Sequence, residues 1–435
     1  MLSFYEKWIR GLVLEGDQPF NRDAIEAYQL KQLKKTLFYV KDKSKFYANQ
    51  LRNLDVESIQ NLDDFSAQVP FTYPEDLARE SWSFLCLAQH EIARIITIRT
   101  SGTKEEKRIF FTKQDLERTI DFFHHGMAYL IRPGQKVLVL MPGNYYGSIG
   151  DLLKKGLARL GCDTLIMGAG KNSLSVLNTI KREAIDSVVG LPQELYQLAR
   201  IKNNLAEMND LKLETILLSA DYVPSSVKEV LEKAFSCKVF NHYGMSEMGY
   251  GGAVDCGCLD AYHLREADLY FEIIDPISGQ VLPPGQEGEV VFSTLNREAM
   301  PLIRYRTGDR ASFIKGGCPC SKLLKKMSHV KGRYQNLLYI DNQPLSMALL
   351  DELLFRMDNL LDYRASLKAG KILSLSLKAV DENKPLGIEE VRRALEMGPF
   401  EKLLRDQKLI LEVNDEGQWE YVKTTMVKRV LAIVD

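Results

Sequence analysis

Short apolar runs alternate with helical patterns between residues 95 and 240, and this alternation constrains the fold more than any other feature of the sequence. The strand-like runs lie at residues 137–140, 164–167, 187–190 and 215–218. They are separated by helical patterns at residues 150–160, 174–184 and 192–201. Parallel strands need crossover connections of about this length, usually a helix. The pattern therefore predicts an α/β fold with mostly parallel sheets and flanking helices.

The rest of the 435-residue chain is long enough for additional domains. Short strand-like runs at 269–274, 288–293 and 310–314 are divided by Gly and Pro turn signals, which predicts a small β subdomain. A boundary is expected near Gly332 and Arg333. The predicted domains are a large N-terminal domain at 1–332, with a helical lead-in at 1–75 and the β subdomain at about 255–330, and a small mobile α+β domain at 333–435.

Charge and composition limit the classes of partner. The chain has 57 basic and 58 acidic residues, a net charge of −1, which gives no electrostatic case for nucleic acid or an anionic membrane. No apolar run reaches the length of a membrane span and the first residues do not form a signal peptide, so a cytoplasmic protein is expected. Seven cysteines, an odd number, argue against a disulfide framework.

Two motifs carry residues suited to ATP. The first is the run 241–247, after a short strand-like run; it contains Tyr243, Ser246 and Glu247. The second is the run 304–309, which ends in Asp309. An aromatic ring can stack on a purine, a hydroxyl can bond a phosphate, and a carboxylate can bind Mg²⁺. Ligand sites in α/β sheets lie at the carboxyl ends of strands, so we expect Tyr243 at the purine, Ser246 at a phosphate, Glu247 at Mg²⁺ and Asp309 at the ribose.

These motifs resemble those of the adenylate-forming superfamily, and more closely its phenylacetate–CoA ligase branch. His263, the segments 272–276, 288–291 and 298–309, and Cys318-Pro319-Cys320 stand where that branch has them. The resemblance implies an AMP-forming ligase that activates a carboxylic acid, with an aryl acid suggested, and passes the acyl group to CoA. It also implies a homodimer. Further nucleotide contacts follow from it at Gly244, Met245, Ala220 and Asp221, with Arg304 or Arg333 stabilising charge.

A hydroxyl-rich loop follows the apolar run 95–98. Thr100, Ser101, Gly102 and Thr103 match the start of the family's phosphate loop, and hydroxyl and backbone N–H groups can bind a triphosphate. The chain then departs from the family pattern with Lys104-Glu105-Glu106-Lys107. Lys104 and Lys107 are alternative replacements for the family lysine.

The C-terminal region also departs from the family. Adenylate-forming enzymes bring a C-terminal lysine to the reacting carboxylate, but Met426 stands at that position here, with Lys423 and Lys428 nearby. We expect Lys423 or Lys428 to act in its place. Two alternatives to the ligase stay open: an adenylyltransferase that uses a non-acyl acceptor, and a nucleotide-binding protein with degenerate catalytic residues.

The segment 142–147 resembles the aromatic-Gly segment that lines the acyl pocket in the phenylacetate branch. Tyr145, Tyr146 and Gly147 are therefore candidate substrate contacts, although both tyrosines could equally be ordinary loop aromatics.

Two Cys-x-Cys pairs indicate a structural zinc site. Cys256 and Cys258 form one pair, Cys318 and Cys320 the other, and His263 lies between them in sequence. Thiolate and imidazole ligands on turns suit tetrahedral Zn²⁺. The resemblance points to Cys256, His263, Cys318 and Cys320 as ligands, with Cys258 as an extra thiol that could displace His263. The alternative is a set of unligated thiols in turns.

Overall fold

The computed structural model describes residues 2–14, 16, 18–99, 106–258, 261–321, 323–415 and 429–434. In these residues the α-helices are α1 (Phe4–Val13), α2 (Arg22–Lys43), α3 (Lys45–Gln50), α4 (Leu62–Gln68), α5 (Pro74–Glu80), α6 (Lys113–Met127), α7 (Ile149–Arg159), α8 (Ser173–Glu183), α9 (Pro192–Asn203), α10 (Ser225–Phe235), α11 (Met347–Leu354), α12 (Ile388–Glu396) and α13 (Glu401–Arg405).

The strands alternate with these helices through the first half of the chain and dominate its middle. They are β1 (Arg94–Arg99), β2 (Glu106–Phe111), β3 (Lys136–Val139), β4 (Asp163–Ile166), β5 (Ser187–Gly190), β6 (Thr215–Leu218), β7 (Lys238–Tyr243), β8 (Ala253–Asp255), β9 (Tyr262–Leu264), β10 (Leu269–Ile274), β11 (Gly288–Thr294), β12 (Tyr305–Ala311), β13 (Lys326–Met327), β14 (Leu338–Ile340), β15 (Gln343–Leu345), β16 (Leu360–Lys368), β17 (Ile372–Ala379), β18 (Ile410–Asp415) and β19 (Ala432–Val434). The expected α/β fold class is confirmed.

The chain divides into two compact units. The first comprises Met1–Pro133, Gly143–Gly161 and Asn241–Val330, and the second comprises Gly134–Pro142, Cys162–Phe240 and Lys331–Asp435. These units cut the chain differently from the expected domains, and the division into 1–332 and 333–435 stays a prediction.

The second unit contains the predicted parallel strands, in the order β4-β3-β5-β6. The pairs β3–β4, β3–β5 and β5–β6 are parallel. Parallel sheets are covered on both faces, and their strands are apolar throughout. Leu138, Val188 and Ile216 accordingly have no exposed surface. Each buried aliphatic side chain of this kind stabilises the fold by about 1.5–3 kcal/mol.

Residues after the expected boundary near Gly332 and Arg333 form a second sheet within this unit, with the order β18-β17-β16-β19. The hairpin β16–β17 is antiparallel, whereas β18 and β19 pair with it in parallel. Its buried apolar residues belong to the same continuous core as those of β3, β5 and β6.

The first unit is built around antiparallel sheets. β10, β11 and β12 form a three-stranded sheet, and β7, β8, β9 and β13 form another series. The strand expected at 310–314 begins earlier, at Tyr305, because Tyr305 and Arg306 pair with Phe292 and Val291 of β11. The motif 305–309 therefore lies on a strand in which buried and half-buried residues alternate, which turns Asp309 to the buried face.

No helix in the described ranges combines the length and the apolar character needed to cross a membrane.

Candidate active site

Tyr243 and Asp309 meet, although they are 66 positions apart in the sequence. Tyr243 is the last residue of β7, and Asp309 lies on β12. The Tyr243 hydroxyl donates a hydrogen bond to Asp309 Oδ2 over 2.8 Å, and both residues are buried. The ring of Tyr243 also stacks on Tyr262, with centroids 6.0 Å apart. The structure therefore brings together the residues expected at the purine and at the ribose.

Glu247 follows Tyr243 on a short 3₁₀ turn, Ser246–Met248, and its carboxylate has two polar neighbours. Tyr305 donates its hydroxyl to Glu247 Oε1 over 3.3 Å, and Lys107 Nζ lies 3.8 Å from the same oxygen. Lys107 also donates to the Tyr305 hydroxyl over 3.3 Å. A carboxylate, the ligand type that Mg²⁺ prefers, and an ammonium, which can pair with phosphate, are thus adjacent.

Lys107 and Tyr305 extend the expected set of functional residues. Lys107 is one of the two lysines between which the sequence could not decide, and β2 carries it to Glu247. Tyr305 lies inside the second motif but had no assigned role. The signal that could have identified it is the start of β12, because an alternating strand puts Tyr305 and Asp309 on one face.

Only glycine fits at position 244. A Cβ atom there would lie 2.3 Å from the Tyr250 carbonyl oxygen, so the turn between Tyr243 and Glu247 requires a residue without a side chain. Tyr250 itself has φ +68°, a left-handed conformation that is costly for an aromatic residue. Strained residues concentrate at functional sites, where the surrounding structure holds them in place.

Arg304, expected to stabilise charge in the reaction, is instead engaged by the protein. Its guanidinium makes two hydrogen bonds to Glu272, at 3.1 and 3.0 Å, and donates to the Val69 carbonyl over 2.7 Å. It also lies over the Phe71 ring, 4.0 Å from the centroid. Both charged side chains are nearly inaccessible to solvent. These contacts are typical of a structural ion pair, which here holds the start of β12 in place.

Ala220, Asp221 and Arg333 belong to the second unit. Ala220 lies in the turn after β6 with φ +75°, another strained non-glycine residue. Asp221 accepts hydrogen bonds from the backbone N–H groups of Tyr222 and Arg429, at 2.8 and 3.4 Å. Arg333 is half-buried and precedes a 3₁₀ turn at Tyr334–Asn336. Their expected nucleotide contacts stay a prediction.

The candidate acyl segment is a loop of the first unit that precedes α7. Tyr145 and Tyr146 are 71% and 52% exposed, and Lys155 lies over the Tyr146 ring. The Gly147 carbonyl accepts a hydrogen bond from the Tyr250 hydroxyl over 3.0 Å. This contact ties the loop to the turn that carries Glu247.

The cysteines predicted to bind zinc converge. The sulfur atoms of Cys256, Cys258, Cys318 and Cys320 all lie within 4.8 Å of one another. Cys318 Sγ is 3.6 Å from Cys256 Sγ, 3.6 Å from Cys258 Sγ and 3.2 Å from Cys320 Sγ. His263 Nε2 lies 3.0 Å from Cys320 Sγ. A hydrogen bond from Cys320 is the main cause that lowers the pKa of Cys256.

Several expected site residues lie outside the described residues. They are Thr100, Ser101, Gly102 and Thr103 of the phosphate loop, and Lys423, Met426 and Lys428 of the C-terminal region.

Comparisons with known proteins find relatives of this chain. A family model described as AMP-binding enzyme matches residues 155–296. The phenylacetate-coenzyme A ligase of Pseudomonas putida is 27% identical over 395 residues, which covers 88% of this chain and 88% of that protein. The enzyme of the same name from Thermus thermophilus is 29% identical over 334 residues, or 73% of this chain and 72% of that protein.

A solved structure shares the fold. A 2-hydroxyisobutyryl-CoA ligase in the postadenylation state, in complex with 2-HIB-AMP, matches with a TM-score of 0.80 at 20% identity, covering 94% of this chain and 89% of that one. The two motifs that meet at Tyr243 and Asp309 therefore lie in a chain that is similar to adenylate-forming enzymes, and in particular to phenylacetate–CoA ligases.

Proposed function

We propose that this protein is an AMP-forming acid–CoA ligase. The carboxylate of an acid attacks the α-phosphate of MgATP, forming an acyl-adenylate and releasing pyrophosphate. The thiol of CoA then attacks the acyl carbon, the acyl–oxygen bond to AMP breaks, and the thioester and AMP leave. The observation that carries this proposal is the contact between Tyr243 and Asp309 beside Glu247, in a chain similar to phenylacetate–CoA ligases over 88% of its length.

Each residue of the cluster has a role in this reaction. The Tyr243 ring would lie against the purine and the Asp309 carboxylate would accept hydrogen bonds from the ribose, while Gly244, Met245 and Ser246 form the turn beside the phosphates. Glu247 supplies the hard oxygen ligand that Mg²⁺ prefers, and the ion would neutralise charge on the triphosphate. Lys107, 3.8 Å from Glu247, supplies a second positive charge on the same side.

The remaining nucleotide contacts are assigned from the family pattern. We place Thr100, Ser101, Gly102 and Thr103 at the β- and γ-phosphates, Ala220 and Asp221 at the adenine, and Arg333 where it stabilises charge. Lys423 or Lys428 would face the reacting carboxylate, since Met426 cannot. A cation at developing negative charge lowers a barrier by several kcal/mol, so one of these lysines is needed.

The cysteine cluster fits a structural Zn²⁺. A tetrahedron with Zn–S bonds of about 2.3 Å has sulfur–sulfur edges of about 3.8 Å. The observed separations of 3.2 to 3.6 Å around Cys318 are close to that value. We assign the ligands as Cys256, Cys258, Cys318 and Cys320, with His263 hydrogen-bonded to Cys320 outside the set. Four protein ligands leave no open position, so the ion would stabilise the fold.

The acid enters beside Tyr145, Tyr146 and Gly147, and the aromatic side chains favour an aryl acid. ATP, CoA and reduced thiols suit the cytoplasm, where we place the reaction. A homodimer is what the family suggests. Transfer of AMP to a non-acyl acceptor and loss of catalysis are not favoured by the relatives, which are named as CoA ligases.

Product analysis tests the proposal. The protein is incubated with MgATP, CoA and a panel of aryl and aliphatic acids, and the nucleotides and thioesters are separated by chromatography. A ligase forms thioester, AMP and pyrophosphate in equal amounts with at least one acid. Formation of ADP, or of an AMP conjugate that does not need CoA, would overturn it.

A further inference from the structure

Arg94 lies behind the candidate acyl loop. It begins β1, and the stem of its side chain packs on Gly147: a Cβ atom at Gly147 would lie 3.2 Å from Arg94 Cγ and 3.2 Å from Leu116 Cδ1. Gly147 has φ +69°, so both its backbone conformation and this close approach require glycine. The loop that carries Tyr145 and Tyr146 is therefore fitted against the Arg94 side chain.

The guanidinium of Arg94 reaches the hydroxyl of Tyr250. Burial raises the pKa of Tyr250 to about 12. The positive charge of Arg94 and a hydrogen bond from it act in the opposite direction and lower that pKa. The Tyr250 hydroxyl donates its proton to the Gly147 carbonyl over 3.0 Å, so toward Arg94 it acts as an acceptor. The Tyr250 ring is stacked on Phe111, with centroids 5.8 Å apart and planes 9° apart. These contacts hold Arg94 at the edge of the stacked rings of Tyr250 and Phe111, which we call the aromatic wall.

This cation has no acidic partner in the described part of the chain. No carboxylate of those residues lies within 4.0 Å of Arg94, whereas Arg304, Arg306 and Arg265 of the same unit each pair with one. Its Nε–H is buried and makes no hydrogen bond to any described residue. A buried donor without an acceptor costs about 1–3 kcal/mol. An oxygen acceptor supplied by a ligand would remove that cost.

We propose that Arg94 is a specificity residue that binds a second oxygen-bearing substituent on the acid substrate, remote from the carboxylate that is activated. This inference rests on the proposed ligase function and deepens it. The preferred substrates are aryl acids with a second carboxylate, which a guanidinium binds most strongly, or with a ring hydroxyl, which it binds less strongly. The aromatic wall of Tyr250 and Phe111 would pack against the ring of the acid, which is why an aryl acid is preferred.

The test compares matched acids and matched variants. Benzoic and phenylacetic acids, each with and without a second carboxylate or a hydroxyl at every ring position, are assayed by ATP–pyrophosphate exchange. The variants are Arg94→Met, which keeps the stem that packs on Gly147, and Arg94→Lys, which keeps the charge. Arg79→Met, an exposed arginine of the same unit, is the control for general loss of charge.

The unchanged protein should prefer at least one substituted acid over its unsubstituted parent. Arg94→Met should lower kcat/KM for that acid about 10- to 100-fold, the equivalent of a charge-assisted hydrogen bond, and change the parent acid less than about 3-fold. For the substituted acid, the kcat/KM of Arg94→Lys should lie between those of Arg94→Met and the unchanged protein. Arg79→Met should match the unchanged protein. Thermal unfolding of each variant shows whether it is folded.

Equal losses for substituted and parent acids in a folded Arg94→Met protein would overturn the inference, because they are the signature of a residue that only supports Tyr250 and the loop. A wild-type preference for unsubstituted acids would overturn it as well. Exchange with no acid at all is a different result, and it would contradict the proposed function itself.

Discussion

The hydroxyl of Tyr243 is hydrogen-bonded to Oδ2 of Asp309 at 2.8 Å, so the two motifs that define the nucleotide site hold each other in place. Tyr243 ends β7 and Asp309 lies on β12, and both residues belong to the first compact unit. The hydrogen bond fixes the hydroxyl edge of the Tyr243 ring, and one face of that ring stacks on Tyr262. The two side chains proposed to contact the purine and the ribose are thereby held together without a nucleotide.

Replacing Tyr243 separates the roles of its ring and its hydroxyl. Tyr243→Phe keeps the ring and removes a hydrogen bond to a carboxylate, so ATP binding should weaken less than about 10-fold, within the range of one such bond. Tyr243→Ala also loses the stacking surface and should weaken ATP binding about 10- to 100-fold beyond that. Calorimetric titration with a non-hydrolysable ATP analogue measures both. Equal affinities of the two variants would show that the ring does not contact the purine.

The ion pair of Arg304 and Glu272 should contribute mainly to stability. Arg304→Met would leave a carboxylate with 0% side-chain exposure without its partner, and we expect a loss of about 3–5 kcal/mol in the free energy of unfolding. Arg304→Met combined with Glu272→Gln should recover part of this loss. Arg79→Met, which breaks an exposed pair with Asp76, should cost less than about 1 kcal/mol. Urea unfolding measures all three, and a loss of catalysis in Arg304→Met without a loss of stability would restore a direct catalytic role.

The proposed set of zinc ligands predicts which substitutions remove the metal and destabilise the protein. Purified protein should contain one zinc per chain by mass spectrometry, and Cys318→Ser should lose the metal and lower the melting temperature. Cys258→Ser should retain less metal than His263→Gln, because Cys258 is one of the four clustered sulfur ligands and His263 is proposed to be hydrogen-bonded to those ligands. The reverse order would make His263 the fourth ligand. Full stability after chelation would contradict a structural zinc.

Acid should destabilise the protein through His242. Burial lowers the pKa of His242 from its ordinary 6.5 to about 4. Between these values the unfolded chain binds a proton that the folded chain does not, so stability is complete above about pH 6.5 and falls as pH decreases toward 4, by at most about 3 kcal/mol.

The His242 ring lies beside Phe122 and Phe123, so a phenyl ring suits this position. The variant His242→Phe should therefore lose this part of the pH dependence of stability. His125, whose pKa burial also lowers to about 4, contributes the same trend in both proteins and cancels in the difference. Urea unfolding at pH 7.5, 5.5 and 4.5 gives that difference. Parallel stability profiles for the two proteins would show that His242 does not titrate on unfolding.

The sequence predicts much of the fold because local periodicity is strong where strands are wholly buried. The runs at 187–190 and 215–218 are mostly apolar, are buried at every position and coincide with β5 and β6. The strand expected at 310–314 was misplaced because Tyr305 and Asp309 belong to a motif that looks like a loop. Its pairing with β11 is a long-range contact that no local pattern reports.

The site is less predictable than the fold because side-chain partners come from distant strands. Tyr243 and Asp309 were expected together from motif order, but the partner of Arg304 is Glu272 on β10, which turns an expected catalytic cation inward. The choice between Lys104 and Lys107 depends on where β2 begins, and only the position of Lys107 beside Glu247 favours it. Arg94 has no motif at all, and it is distinguished only by a buried Nε–H and by the lack of an acidic partner among the described residues.

The most direct test of the central claim is ATP–pyrophosphate exchange with Mg²⁺ and a panel of carboxylic acids, with CoA withheld. The account predicts acid-dependent exchange by the unchanged protein and a loss of at least about 100-fold in Glu247→Gln, which keeps the shape of the side chain but loses the charge that binds Mg²⁺. Glu75→Gln, at an exposed position of the same unit, should behave as the unchanged protein. Exchange that persists in Glu247→Gln would contradict the site proposed around Tyr243, Glu247 and Asp309, and no exchange with any acid would contradict the ligase.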